Sequence, residues 1–175
     1  MSKGPVSVWL GHGASGGAET MTPYIDALSR RGVRAAALRL PRGTAERAME
    51  PLREQVGSEL AHAVIGGHSF GGRVASLVAA QTAPAGLILL SYPLHRPGHP
   101  DELRIEHWPE ITCPVLVLSG DRDQFARVDL LRKAVKRLAH ADVHVYPGMR
   151  HGLTAVADDV AERIAAFLAT LPARA

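Results

Sequence analysis

Residues 63–73 read Ala63-Val64-Ile65-Gly66-Gly67-His68-Ser69-Phe70-Gly71-Gly72-Arg73, and the fold turns on how this run is parsed. Ala63-Val64-Ile65-Gly66 is a short apolar stretch of the kind that forms a buried parallel strand. Beyond the glycines, Val74, Leu77 and Val78 recur at helical spacing. A serine between glycines, where strand gives way to helix, is the pattern of a nucleophile elbow. The turn is tight enough that flanking side chains would collide with the adjoining strand and helix. Gly67 and Gly71 carry no Cβ and escape that collision. Ser69 is therefore expected above the sheet, with its hydroxyl at the N-terminus of the next helix. The alternative is a glycine-rich helix entry without chemistry.

An elbow serine needs an acid and then a histidine further along the chain. Pro114-Val115-Leu116-Val117-Leu118-Ser119-Gly120 reads as a second buried strand and runs into Asp121-Arg122-Asp123. Val143-His144-Val145-Tyr146-Pro147-Gly148 reads as a third, ending in Met149-Arg150-His151-Gly152. Ser69, the acid and His151 thus fall just past the C-terminal ends of strands, the edge where open α/β sheets hold ligands. His151 is expected to take the serine proton and return it to a leaving group, while the acid orients the imidazole. Two aspartates compete for that place. Asp121 directly follows Gly120 and fits a turn-shaping role. Asp123 lies deeper in the loop, reaches further toward a histidine on the next strand, and is preferred.

The remaining requirement is a pair of backbone N–H groups facing the developing oxyanion. Phe70, after the nucleophile, supplies one candidate. The loop Gly11-His12-Gly13-Ala14-Ser15-Gly16-Gly17, after the strand read at 5–10, supplies the other at Ala14. A phosphate cradle is the competing reading of this loop, but no Gly-Lys-Ser/Thr ending or dinucleotide fingerprint is present.

The stretches HGASGG, GHSFGGR, YPLHRPGHPDELRIEHW, SGDRDQF and MRHGL together resemble the α/β-hydrolase superfamily over nearly the whole chain. More narrowly, they resemble small, lidless hydrolases related to dienelactone hydrolases and to the testis-expressed and non-specific-lethal-complex proteins. The resemblance implies Ser69 as nucleophile and His151 as base. It places the acid three residues after the strand-end glycine, at Asp123. Many relatives carry an acidic residue shortly before the base, where this chain has Met149-Arg150. The resemblance implies a reaction class and no substrate; the ordered serine, acid and histidine point to cofactor-free cleavage of a small-molecule ester or thioester through an acyl-enzyme, with short acyl groups favoured by an open site. The alternative is an inactive hydrolase-like binding module.

At 175 residues the chain suits one domain, residues 1–175, and is short for such a fold. The expected architecture is a three-layer α/β/α sandwich with a mostly parallel sheet and no cap domain. Ser91–Pro109, with four prolines and three histidines, is too short for a helical cap and is expected as a stiff surface loop. Within it, Tyr92 and His95 are candidate substrate contacts, with loop anchoring as the alternative. His95, His99 and Asp101 could suggest a metal, but Pro97 and Gly98 favour an exposed turn, and no metal is expected. His68 is expected as packing beside the nucleophile.

No apolar run is long enough for a transmembrane helix, and no signal pattern opens the sequence. Cys113 is the only cysteine and is expected to be a buried small residue. A cytoplasmic location is the expectation. The formal charge of +3 is carried by basic residues read as interspersed with acids, so neither nucleic acid nor membrane is expected as a partner. Helices are expected over 21–31, 46–62 (weakly periodic), after the elbow, 127–139 and 155–170. Strands are expected at 33–40 and 86–91 besides those already named. Oligomeric state is left open.

Overall fold

The computed structural model describes residues 8–172. Within them the apolar runs form six strands: β1 (Val8–Gly11), β2 (Ala35–Leu38), β3 (Val64–His68), β4 (Gly86–Leu90), β5 (Val115–Gly120) and β6 (Ala141–Tyr146). Their order is β2-β1-β3-β4-β5-β6, and every neighbouring pair is parallel. The continuous apolar sequences of β4 and β5 follow from this: both strands are buried along their whole length, as central parallel strands are.

Alternation along the strands feeds two cores. Leu87 and Leu89 of β4 join one apolar cluster, while Ile88 and Leu90 join the other. The first cluster lies beneath α2 (Ala45–Val56), α3 (Phe70–Gln81) and α4 (Val128–Ala134). The second lies beneath α1 (Thr22–Ser29) and α5 (Ala157–Thr170). This is the expected three-layer sandwich. Val160, Ile164 and Phe167 form the buried stripe of α5, at the spacing that its sequence displays.

Several boundaries differ from the sequence reading. Pro5, Val6 and Ser7 of the first expected strand lie outside the described residues. The weakly periodic stretch at 46–62 is a regular amphipathic helix, α2, with Ala45, Ala48, Met49, Leu52 and Val56 inward. Two of those inward positions are alanines, which blur the apolar stripe. The Thr44 hydroxyl accepts from Arg47 N–H at 3.4 Å to begin the helix, and Gly57 at φ 62° ends its regular part. A 3₁₀ turn follows at Gly57–Ala61. The helix expected at 127–139 stops at Ala134 and tightens into a 3₁₀ turn at Val135–Arg137.

The proline-rich segment after β4 lies only partly on the surface: residues 96–99 are exposed as expected, but the stretch before them is not. Ser91 to His95 are all buried, and Leu94, Ile105 and Trp108 belong to the cluster under α2 and α3. The Tyr92 hydroxyl donates to Arg104 O at 2.6 Å, and its ring meets Trp108 edge-on at 5.0 Å. Apolar residues at wide spacing fold the segment inward, and it forms no cap. Interspersion of charge fails at one place: Arg132, Lys133, Lys136 and Arg137 are all exposed on α4 and the turn after it. No helix among the described residues is long and apolar enough to cross a membrane.

Strand order fixes where a ligand can sit. The chain moves outward from β1 to β2, then returns to β3 on the other side of β1 before stepping to β4. The reversal between β1 and β3 is a topological switch point, and the crevice at the carboxyl ends of these strands is the binding place in such sheets. The glycine loop leaves β1 there, and the serine turn leaves β3.

Candidate active site

Ser69 holds φ 50°, ψ −115°, a conformation that a non-glycine residue adopts only when its surroundings enforce it. Its N–H donates to Leu90 O at 2.8 Å, and its carbonyl accepts from Arg73 N–H at 3.0 Å. One bond ties the turn to β4 and the other begins α3. The flanking glycines are required by contact. A Cβ on Gly67 or on Gly71 would strike the backbone of Gly11 in β1. β1, β3 and α3 therefore meet backbone to backbone directly below the serine.

The loops after β5 and β6 are locked together in a similar way. Arg122 N–H donates to Met149 O at 2.9 Å, and a Cβ on Gly120 would run into the Met149 and Arg150 backbone. This contact brings the two loops side by side. Asp121 turns to the loop itself, its Oδ1 accepting from Gly148 N–H at 2.7 Å. Asp123 turns inward and is only 4 % exposed. Of the two aspartates, Asp123 is the one that meets a histidine.

His151 stands between this acid and the serine. Its Nδ1 lies 2.9 and 2.8 Å from the two carboxylate oxygens of Asp123, and its Nε2 lies 2.7 Å from Ser69 Oγ. A carboxylate can only accept, so Nδ1 carries the proton, and Nε2 is free to accept from the serine hydroxyl. The Phe125 ring lies 4.3 Å from the imidazole, tilted by 36°. Phe125 N–H donates to Asp123 Oδ1 at 2.8 Å, so the carboxylate is held from two sides. His68 Nε2–H donates to His151 O at 2.8 Å, and its ring centroid is 5.2 Å from that of His151. Burial, the leading cause, pushes His68 below the ordinary histidine range and keeps it neutral.

The loop after β1 folds over the serine. A Cβ added at Gly13 would lie 4.0 Å from Ser69 Cβ and 3.2 Å from His68 Nδ1. His12, 5 % exposed, stiffens this loop: Nδ1–H donates to Gly13 O at 2.8 Å, and Nε2 accepts from Leu40 N–H at 3.0 Å. Ala14 follows at the exposed tip. Phe70 opens α3, where no side chain caps the first turn. Free N–H groups at a helix start carry partial positive charge toward whatever lies above them.

Tyr92 and His95 are not placed as substrate contacts, and that expectation is corrected. Tyr92 is 1 % exposed, with its hydroxyl committed to Arg104 O. His95 is 2 % exposed, and both ring nitrogens are engaged within the protein. Apolar neighbours draw this part of the segment inward, and the anchoring alternative describes both residues. His99 is exposed, and its side chain lies 3.8 Å from Glu102. Sequence reasoning passed over His12 and Phe125. His12 stood within HGASGG without a role, and nothing local marks Phe125 as the residue touching both acid and base.

A family model described as an alpha/beta hydrolase domain matches residues 20–165. The glycine loop after β1 precedes that span. Three solved structures share the fold at low identity. A monoacylglycerol lipase of Paleococcus ferrophilus is 16% identical with a TM-score of 0.79, over 94% of this chain and 95% of that one. A thermophilic esterase from Thermogutta terrifontis is 17% identical with a TM-score of 0.77, over 94% and 89%. A Pyrococcus furiosus esterase is 15% identical with a TM-score of 0.80, over 97% and 82%. With a six-stranded parallel sheet, a strained serine at its switch point and a family match across most of its length, the chain belongs to the alpha/beta hydrolase domain family.

Proposed function

We propose that this protein is a serine hydrolase that cleaves a short-acyl ester or thioester through an acyl-enzyme. One observation carries the reading: an unbroken hydrogen-bonded line from Ser69 Oγ through His151 to a buried Asp123, with contacts of 2.7 to 2.9 Å. Ser69 Oγ attacks the acyl carbon while His151 Nε2 takes its proton. Asp123 holds the imidazole tautomer and stabilises the imidazolium that forms. The backbone N–H groups of Phe70 and Ala14 receive the oxyanion, an arrangement worth roughly 3–4 kcal/mol per donor in serine proteases.

Collapse of the tetrahedral species breaks the bond to the leaving oxygen or sulfur, which takes the proton from His151. Water then repeats the sequence: His151 removes its proton as its oxygen attacks the acyl carbon, the acyl–Ser69 bond breaks with Ser69 Oγ taking the proton back from His151, and a carboxylic acid leaves. Every atom comes from substrate and water, so no cofactor is needed.

The test is covalent labelling with a fluorophosphonate followed by peptide mapping. The expected adduct is on Ser69, with none in Ser69→Ala. A correctly folded protein that takes no label would instead be a binding module on the same fold.

A further inference from the structure

His95 has three partners, and two of them lie in the loop that carries the acid. Its main-chain N–H donates to Phe125 O at 3.0 Å. Its ring Nε2 accepts from Arg127 N–H at 3.1 Å. Its Nδ1 lies 2.9 Å from Arg96 O. These contacts fix the tautomer: an amide hydrogen aimed at Nε2 requires a lone pair there, so the proton sits on Nδ1 and is donated to the Arg96 carbonyl. His95 thus grips the chain on either side of Ala126, two and four residues beyond Asp123.

The gripped residue touches both halves of the acid–base pair. Phe125 N–H donates to Asp123 Oδ1 at 2.8 Å, and the Phe125 ring lies 4.3 Å from the His151 imidazole. The loop's own closing bond, Ala126 N–H to Asp123 O, is long at 3.3 Å. Arg127, the residue before α4, offers the helix no side-chain cap. The far end of the acid loop is therefore held by a histidine from a different segment, whose neighbours Tyr92 and Leu94 lie in the core.

We propose that His95 is a positioning residue that sets Asp123 against His151 by holding residues 125–127. The inference rests on the hydrolase reading above, and it assigns His95 no contact with substrate. Its effect on turnover runs chiefly through Asp123, the carboxylate that Phe125 N–H holds directly.

The test uses p-nitrophenyl acetate turnover and fluorophosphonate labelling of the full chain, with thermal unfolding alongside. His95→Leu is expected to lower kcat by roughly 10²-fold, the usual cost of about an ångström of misplacement at a reacting centre. KM should stay nearly constant. His95→Gln, whose amide oxygen can still accept from Arg127 N–H, should recover most of the loss. In an Asp123→Asn background, His95→Leu should cause a much smaller loss, because two residues acting largely through one contact are not additive. A merely structural role would lower activity equally in both backgrounds.

The inference is overturned if folded His95→Leu retains wild-type kcat, or if its loss persists undiminished in Asp123→Asn. Should His95→Leu not fold, His95→Gln compared with the shorter His95→Asn decides the matter in the same way. A wild-type protein that neither labels at Ser69 nor turns over ester defeats the hydrolase reading and this inference with it. A wild type that labels no faster than His95→Leu defeats this inference alone.

Discussion

The Phe125 ring packs 4.3 Å from the His151 imidazole, while the same residue's N–H donates to the carboxylate that His151 faces. Phe125 therefore both covers the acid–base pair and orients it. A hydrogen bond shielded from water is stronger than one exposed to it. Phe125→Ala keeps the backbone bond and removes only the cover. The expected result is a fall in kcat of roughly tenfold, the lower end of what supporting residues around a reactive centre contribute. Stability should fall by about 1 kcal/mol for the lost ring contact. Steady-state kinetics and urea unfolding measure the two separately.

Ser69 joins chemistry to backbone strain, and two substitutions part them. Ser69→Ala and Ser69→Gly should both lose about 10⁶ in kcat, as removal of a triad nucleophile does. Their stabilities should differ. At φ 50°, ψ −115°, alanine keeps the strain that serine bears and glycine escapes it. Ser69→Gly is expected to be more stable than Ser69→Ala by about 1 kcal/mol after allowing for glycine's greater freedom when unfolded. Equal midpoints in urea would mean the turn is relaxed.

The two aspartates after β5 should respond oppositely. Asp123→Asn leaves the shape and removes the charge that holds the His151 tautomer, for an expected fall of about 10⁴ in kcat. Asp121→Asn weakens an exposed bond to Gly148 N–H. That should cost about 1 kcal/mol of stability and leave kcat within a few-fold. A reversed pattern would exchange their roles.

Acid sensitivity should come partly from a histidine remote from Ser69. His107 is pushed down to about 4 by burial, with the Arg73 cation adding to the effect, and its Nε2 lies 2.7 Å from Ser76 Oγ. Its folded value lies below its unfolded value, so the unfolded chain binds the proton more readily. The stability it contributes is complete above about pH 6.5 and is lost as pH falls toward about 4. Its partial exposure limits the effect to roughly 1–2 kcal/mol. His68, also shifted downward by burial, acts in the same direction. Urea unfolding at several pH values should show a shallower slope for His107→Gln than for the wild type.

The inward folding of the segment after β4 bears on substrate length. With Ser91 to His95 buried in the core, these five residues provide no wall for a long acyl chain. Each methylene buried is worth ~0.8 kcal/mol, about fourfold in kcat/KM if the burial persists in the transition state. That gain should end after the first few carbons. Measured from two to twelve carbons, kcat/KM is expected to rise and then level. A steady rise to the longest ester would reveal an apolar channel.

The fold was legible because its markers are local. Gly67 and Gly71 announce the turn at Ser69, and the runs at 86–90 and 114–119 announce buried strands. The order of Ser69, Asp123 and His151 along the chain sufficed to pick the residues that meet. Loop reach favoured Asp123 over Asp121, but what occupies Asp121 was not legible, since the Gly148 amide that it accepts from lies 27 positions away. Tyr92 and His95 were misjudged for a related reason. Their place past a strand end resembles a rim, and the burial of that rim depends on Leu94, Ile105 and Trp108 folding beneath α2 and α3. The regularity of α2 was hidden because Ala45 and Ala48 are too small to announce an inward face.

Strand order also sets the sequence in which the parts of the site can come together during synthesis. The first four strands to emerge, β1 to β4, form one contiguous block of the sheet, β2-β1-β3-β4, which already contains the serine turn and the glycine loop. β5 and β6, with Asp123 and His151 just beyond them, add at a single edge afterwards. A nascent chain can thus shape its serine turn before any base exists to activate it. On the proposed mechanism, the serine can be activated only once the final third of the sequence, with Asp123 and His151, has docked.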